Sequence, residues 1–113
     1  MRKNGAAFDL PIALGMVAAS NRCDRDRLRD SMAVGELALD GSIRPVRGAL
    51  PIAMHARKTG VKNLLVPEEN ADEAAVADGI NVYGVRHLRE AVEFLQEGTD
   101  LTPRRLDLHD ILN

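Results

Sequence analysis

The side chains that could do chemistry in this chain are few, and they do not form a catalytic pattern. His55, His87 and His109 fall on different predicted elements, without the spacing of metal ligands. Cys23 is the single cysteine, so it has no disulfide partner within the chain. Neither a G-x-x-x-x-G-K-[ST] nor a G-x-G-x-x-G phosphate-binding motif occurs. The sequence therefore predicts no catalytic, cofactor-binding or metal site.

Basic side chains provide the one candidate binding surface. Its members are Arg44, Arg47, Arg57, Lys58 and Lys62. Such a surface could contact phosphate groups or an acidic partner. The alternative is a solvated face without a partner. A formal net charge of −2, with two Phe, one Tyr and no Trp, gives little support for nucleic-acid binding by base stacking.

A predicted β-hairpin over residues 34–48 positions the first two of these arginines. Asp40-Gly41 between alternating strands predicts a two-residue type I′ turn, because both central residues of that turn need positive φ. Leu37 and Leu39 are then expected on one face of the hairpin. Val34, Glu36 and Ala38 are expected on the other.

The remaining elements alternate between helix and strand. Helices are predicted over residues 10–20, 50–59, 70–78 and 85–97, and strands over residues 63–67 and 80–84. The first helix is apolar on every face, with Asp9 as N-cap, which is typical of a buried helix. Its Gly15 suggests close packing against a neighbour. The alternation predicts an α/β fold in which the hairpin adds antiparallel pairs, so the sheet should be mixed.

Length and composition place these elements in one domain. The chain has 113 residues, 45% hydrophobic and 28% charged, as in soluble globular proteins. No apolar run reaches the roughly 18 residues of a membrane span. The basic N-terminus is not followed by a convincing signal peptide, so a cytoplasmic protein is expected.

Three segments together resemble a known family. They are RKNGAAFDLPIALG at residues 2–15, GELALDGSIRPVRG at 35–48, and LLVP at 64–67 followed by an acidic, Ala-rich helix. These motifs resemble the N-terminal domain of the magnesium-chelatase-like ComM/YifB family of bacterial AAA+ ATPases, over residues 2–96. The resemblance implies the ribosomal protein S5 domain 2-like fold shared with the Lon proteolytic domain.

Kinship with Lon raises the hypothesis of a Ser–Lys peptidase. In that family the serine position corresponds to Ala7, and the lysine position falls where this chain has Leu50 or Ile52. Alanine has no hydroxyl to attack a carbonyl, and neither aliphatic side chain can act as a base. The resemblance therefore implies a protease-like fold without the protease chemistry.

The same resemblance places this chain beside an ATPase module. Residues 1–97 are expected to form a partial Lon-like domain lacking its N-terminal strands, and residues 98–113 a linker or tail toward the AAA+ module. ATP and Mg²⁺ are expected only in that module. The partners of this chain would be the AAA+ module and, through the parent protein, DNA, and no membrane partner is expected. The uncovered first helix further suggests self-association.

Three functions follow as hypotheses. The first is a non-catalytic accessory domain that positions subunits or substrate in a ComM-like ATPase acting in competence and DNA recombination. The second is a stand-alone DNA-binding module that uses the basic residues between Arg44 and Lys62. The third is an inactive relative of the Lon peptidase.

Overall fold

A computed structural model gives the fold over residues 8–20, 25–96 and 101–105. The elements in these ranges are α1 Asp9–Ser20, α2 Arg25–Arg29, β1 Ser31–Ala33, β2 Glu36–Leu37, β3 Ile43–Arg44, α3 Ala49–Thr59, β4 Asn63–Pro67, α4 Ala71–Ala75, β5 Asn81–Val85 and α5 Leu88–Gln96. A 3₁₀ turn, Glu68–Asn70, leads into α4. Ala7, Cys23 and His109 lie outside the described residues.

A parallel sheet in the order β1-β4-β5 forms the centre of the domain. Met32 pairs with Leu64, and Leu64 in turn with Val82. The free edge of β5 carries one antiparallel bridge, from Val82 to Arg104. The predicted α/β class with both kinds of pairing is therefore confirmed.

Helices cover both faces of this sheet. Leu64, Val66 and Val82 pack on one side with buried alanines of α3 and α4. Leu65 and Val85 pack on the other side with α1 and α5. Because neighbouring strand residues point to opposite faces, β4 is apolar along its length, with residues 64–67 all buried. The result is a three-layer arrangement of helices, sheet and helices.

The predicted hairpin is shorter than expected, and its turn differs. Only β2 and β3 form the antiparallel ribbon, with Glu36 opposite Arg44 and Leu37 opposite Ile43. The amide of Gly41 donates to the carbonyl of Ala38 at 3.0 Å, which puts Leu39 and Asp40 at the centre of the turn. Gly41 follows with φ of 89°, as in a three-residue loop. The two-residue type I′ turn is thus wrong. Leu39 is fully exposed at the tip rather than sharing a packed face with Leu37.

Helix α1 is only partly buried in this chain. Leu10 and Leu14 are in the core, whereas Phe8, just before the helix, is 58% exposed and Ile12 is 61% exposed. A Cβ added at Gly15 would meet no described atom within 4 Å. The expectations of a fully buried helix and of close packing at Gly15 are therefore wrong over the described residues. An apolar face remains on the surface.

The other helices begin or end near their predicted limits. Gly60 ends α3 with φ of 95°, and its amide donates to the carbonyl of Arg57. The helix predicted over residues 70–78 is only the short α4, which is followed by a turn at Gly79. Helix α5 starts three residues later than predicted, because β5 extends to Val85. None of the described helices is both long and apolar enough to cross a membrane.

Two glycine substitutions should have opposite effects on stability. Gly41→Ala would place a Cβ on the ring of His87, 2.8 Å from its Cε1, in a backbone with positive φ. We expect it to lower the free energy of unfolding by about 1–3 kcal/mol. Gly15→Ala, on an exposed part of α1, should raise it by up to about 1 kcal/mol. Urea denaturation of both variants measures these changes, and equal effects would contradict this account of the turn.

Candidate functional site

The segment between the ribbon and α3 is held by two side chains of the α4 region. Asn70 accepts the amide of Val46 at 2.8 Å through its Oδ1 and donates its Nδ2 to the Val46 carbonyl at 3.0 Å. Glu73 accepts the amide of Leu50 at 3.1 Å. Since Gly48 offers no side chain to cap α3, this carboxylate satisfies one of the free amides of its first turn. The start of α3 is therefore fixed by α4.

The first turn of α3 contains the position that the family resemblance equates with the Lon lysine. Leu50 and Ile52 are half-buried and pack against the core between the sheet and α3. Their side chains are hydrocarbon, so they bring no base to this point. Ala7, equated with the nucleophile, lies outside the described residues. The comparison of the two dyad positions therefore remains a prediction from sequence.

The five basic residues do not form one cluster. Arg44 and Arg47 are exposed on the N-terminal side of α3, whereas Arg57 and Lys58 lie in its last turn. From residue 48 to residue 57 the helix axis rises by about 13 Å.

Two of the five basic residues already have partners. Arg57 donates to the carbonyl of Asp78 at 2.6 Å, and Lys62 lies 3.7 Å from the Asp30 carboxylate. Among the described residues, Arg57 and Lys62 therefore take part in contacts within the fold, whereas Arg44 and Arg47 are exposed near the start of α3 and Lys58 is exposed in its last turn.

A charged cluster at the carboxyl ends of β4 and β5 was not found from the sequence. Glu68 follows β4 and pairs with Arg104 through its Oε2. Arg104 also donates to Asp72 at 2.6 Å, and Arg86, after β5, reaches the same Glu68 oxygen at 4.0 Å. The hydrogen bonds that Arg104 donates to Asp72 and then to Glu68 raise the pKa of its guanidinium above the ordinary value.

A polar cavity of about 330 Å³ lies beside this cluster. Its walls are Glu68, Gly84, Arg86, Glu90 and residues 101–105. A Cβ at Gly84 would fall on the Glu68 carboxylate, so glycine is needed for this side chain to lie across β5. Ligand sites in open α/β sheets lie outside the carboxyl ends of the strands, which is the place of this cavity. The described residues contain no group of three or more His, Cys, Asp and Glu that could hold a metal ion.

The ribbon is attached to the start of α5 through its turn. The amide of Leu88 donates to the Gly41 carbonyl at 2.9 Å, and that of Ile43 to the Arg86 carbonyl at 2.9 Å. His87 lies between them, with its Nε2 3.0 Å from the Asp40 carbonyl. Its Nδ1 accepts the amide of Arg89 at 3.0 Å, which caps the first turn of α5. His87 thus has a structural role in this arrangement.

Comparison with known proteins agrees with this geometry. A family model described as "Subunit ChlI of Mg-chelatase" matches residues 1–70. Competence protein ComM of Haemophilus influenzae is 40% identical over 93 residues, which cover 82% of this chain and 18% of ComM. The uncharacterized protein YifB of Escherichia coli is 36% identical, with 97% of this chain and 24% of YifB covered. Lon protease of Helicobacter pylori is 34% identical over 73% of this chain and 10% of its own length.

This chain is an α/β domain, and it belongs to the ChlI family, named for a subunit of Mg-chelatase. Within that family its relatives are ComM and YifB, which makes it a Mg-chelatase-like AAA+ family member. The chain spans about a fifth of the length of these relatives, with 18% of ComM and 24% of YifB covered.

The pKa of the Asp40 carboxyl provides a test of the geometry of the ribbon turn. Asp40 Oδ1 accepts the Ser42 hydroxyl at 2.7 Å and the Ser42 amide at 2.9 Å. These bonds lower the pKa of the Asp40 carboxyl below its ordinary value. Because this folded-state pKa is lowered, the stabilisation is present above the unfolded-state pKa and is lost as pH falls through the folded-state one.

We expect Ser42→Ala to move the Asp40 pKa back toward its ordinary value, measured by NMR titration of the carboxyl carbon. Thr59→Ala is the matched control, because its hydroxyl donates instead to the Ala56 carbonyl at 2.8 Å, far along the chain from this turn. An Asp40 titration that is the same in all three proteins would contradict the assigned hydrogen bonds.

Proposed function

We propose that this chain is a non-catalytic accessory domain of a ComM-like AAA+ ATPase that acts in competence and DNA recombination. In this role it positions subunits or substrate, while ATP and Mg²⁺ bind in the ATPase module of the parent protein. The observation that carries the proposal is the 40% identity to Competence protein ComM over 82% of this chain. We further propose the S5 domain 2-like fold for the domain, on the basis of its similarity to Lon protease.

Two features of the site support a positioning role over a peptidase role. The residues equated with the Lon lysine are Leu50 and Ile52, both packed against the core. Asn70 and Glu73 fix this segment through the amides of Val46 and Leu50, so the Glu73 carboxylate is engaged in holding the start of α3. The arrangement preserves the segment as architecture, which agrees with a domain that holds other parts in place.

A DNA-binding role for the isolated domain has less support. The candidate basic residues are divided between the two ends of α3, and Arg57 and Lys62 already contact Asp78 and Asp30. Arg44 and Arg47 remain as an exposed pair beside the ribbon. Two cations release too few counterions for strong binding by charge alone.

Deletion of this domain from the parent protein tests the proposal. We expect a parent protein that lacks it to hydrolyse ATP and to lose recombination of incoming DNA, because the domain supplies positioning rather than turnover. ATP hydrolysis and transformation frequency are the two measurements. Unchanged transformation would contradict an accessory role.

The parent with Arg44→Glu and Arg47→Glu serves as a further comparison, with Arg57→Glu and Lys58→Glu as the matched pair. If the first pair alone abolished binding to forked DNA, the DNA-binding hypothesis would replace the accessory one.

We also propose that the isolated chain self-associates through the exposed apolar face beside α1. Phe8 and Ile12 are separated by one helical turn, and both are more than half exposed. We expect sedimentation to show a dimer at high concentration, and Ile12→Gln to shift it toward monomer. Val76→Gln removes an equally exposed aliphatic side chain elsewhere and is the control. A monomer at all concentrations would rule out this contact.

A further inference from the structure

Residues 101–105 lie against the sheet as a short extended strap. Leu101 packs with the core around α1 and α5, and the amide of Arg104 donates to the Val82 carbonyl at 2.6 Å. Arg105 donates to the Asn81 side chain at 3.0 Å. This segment therefore extends the free edge of β5 by one bridge, although its sequence is polar and predicts a linker.

Arg104 contributes two ion pairs that hold the strap. Arg104 contacts two carboxylates that come from different parts of the fold, Glu68 after β4 and Asp72 on α4. Its guanidinium is 30% exposed, and Glu68 is 29% exposed. The Arg104–Glu68 pair is therefore partly buried and stronger than an exposed surface pair, whereas the Asp72 side chain is 73% exposed. The amide of Arg104 adds one backbone hydrogen bond, to Val82 of β5.

A second cation competes for the same carboxylate. Arg86 Nη2 lies 4.0 Å from Glu68 Oε2, the oxygen that Arg104 contacts, and the Arg86 side chain is 75% exposed. If Arg104 leaves, Arg86 can move onto Glu68, so the carboxylate never loses its partner. This exchange lowers the cost of releasing the strap. Two arrangements of similar free energy are the requirement for a conformational switch.

We propose that residues 101–105 form a releasable strap, closed when Arg104 pairs with Glu68 and Asp72 and open when Arg86 takes its place on Glu68. The strap connects the domain to the chain that follows residue 105. In the parent ATPase, movement of the following module would pull the strap and expose the edge of β5. This last step rests on the proposed function, whereas the strap and its exchange are properties of this chain.

Hydrogen exchange on this chain tests the strap without the parent protein. The amide of Arg104 reports closure, because it is bonded to Val82 in the closed state. We expect Arg104→Gln to speed exchange of this amide by about tenfold. Arg105→Gln is the matched control, since Arg105 contacts only an amide oxygen at Asn81, and it should change the rate by less than about twofold. Exchange at Leu65 in the central strand shows that each variant is folded.

The Arg86→Gln substitution should change the rate of hydrogen exchange at the Arg104 amide in the opposite direction. Removal of the competing cation should slow exchange at Arg104, because Glu68 then has no alternative partner. A merely structural salt-bridge network would lose protection in this variant instead. If hydrogen exchange at residue 104 is unchanged in Arg104→Gln, the Arg104 side chain does not hold the strap. If hydrogen exchange at this amide is faster or unchanged in Arg86→Gln, Arg86 does not replace Arg104 on Glu68. Both hydrogen-exchange results concern this chain alone, so they do not depend on whether deletion of the domain changes transformation by the parent protein.

Discussion

Both backbone polar groups of Val46 are satisfied by one side chain, the carboxamide of Asn70. Asn70 is the buried polar residue of the described core, with 8% of its surface exposed. A buried amide that lost these two bonds would leave a donor and an acceptor without partners, at about 1–3 kcal/mol for each unsatisfied group. The interaction therefore fixes the path by which the ribbon enters α3. The positions of Leu50 and Ile52 follow from it.

The parallel sheet determines on which side each of the packed helices lies. Each strand of the parallel sheet contributes side chains to both core layers, so α3 and α4 are held on one face and α1 and α5 on the other. Short connections follow the carboxyl ends of β4 and β5. Opposite charges from those connections meet there, at Glu68 and Arg86. The cavity and the strap are consequences of this topology.

The start of α3 differs in character from what the likeness to a peptidase would suggest. Similarity to Lon protease extends over 73% of the chain, yet the segment that would carry the lysine is apolar and packed against the core. The chain belongs to the ChlI family and is similar to ComM.

The sequence by itself determined the elements whose signals are local. The apolar run of residues 63–67 predicted β4 at its observed limits, and Gly60 marked the end of α3 because only glycine adopts its positive φ without strain. The family motifs likewise identified the ChlI relationship, since they depend on residue type alone.

Tertiary structure decided what depends on distant partners. Residues 31–33 pair in parallel with residues 63–65 of β4, which lie far along the chain. Arg104 joined Glu68 across 36 positions of the chain, a contact that no local pattern records. The turn at Leu39-Asp40 and the exposure of Ile12 were likewise set by which neighbours the fold brought within reach.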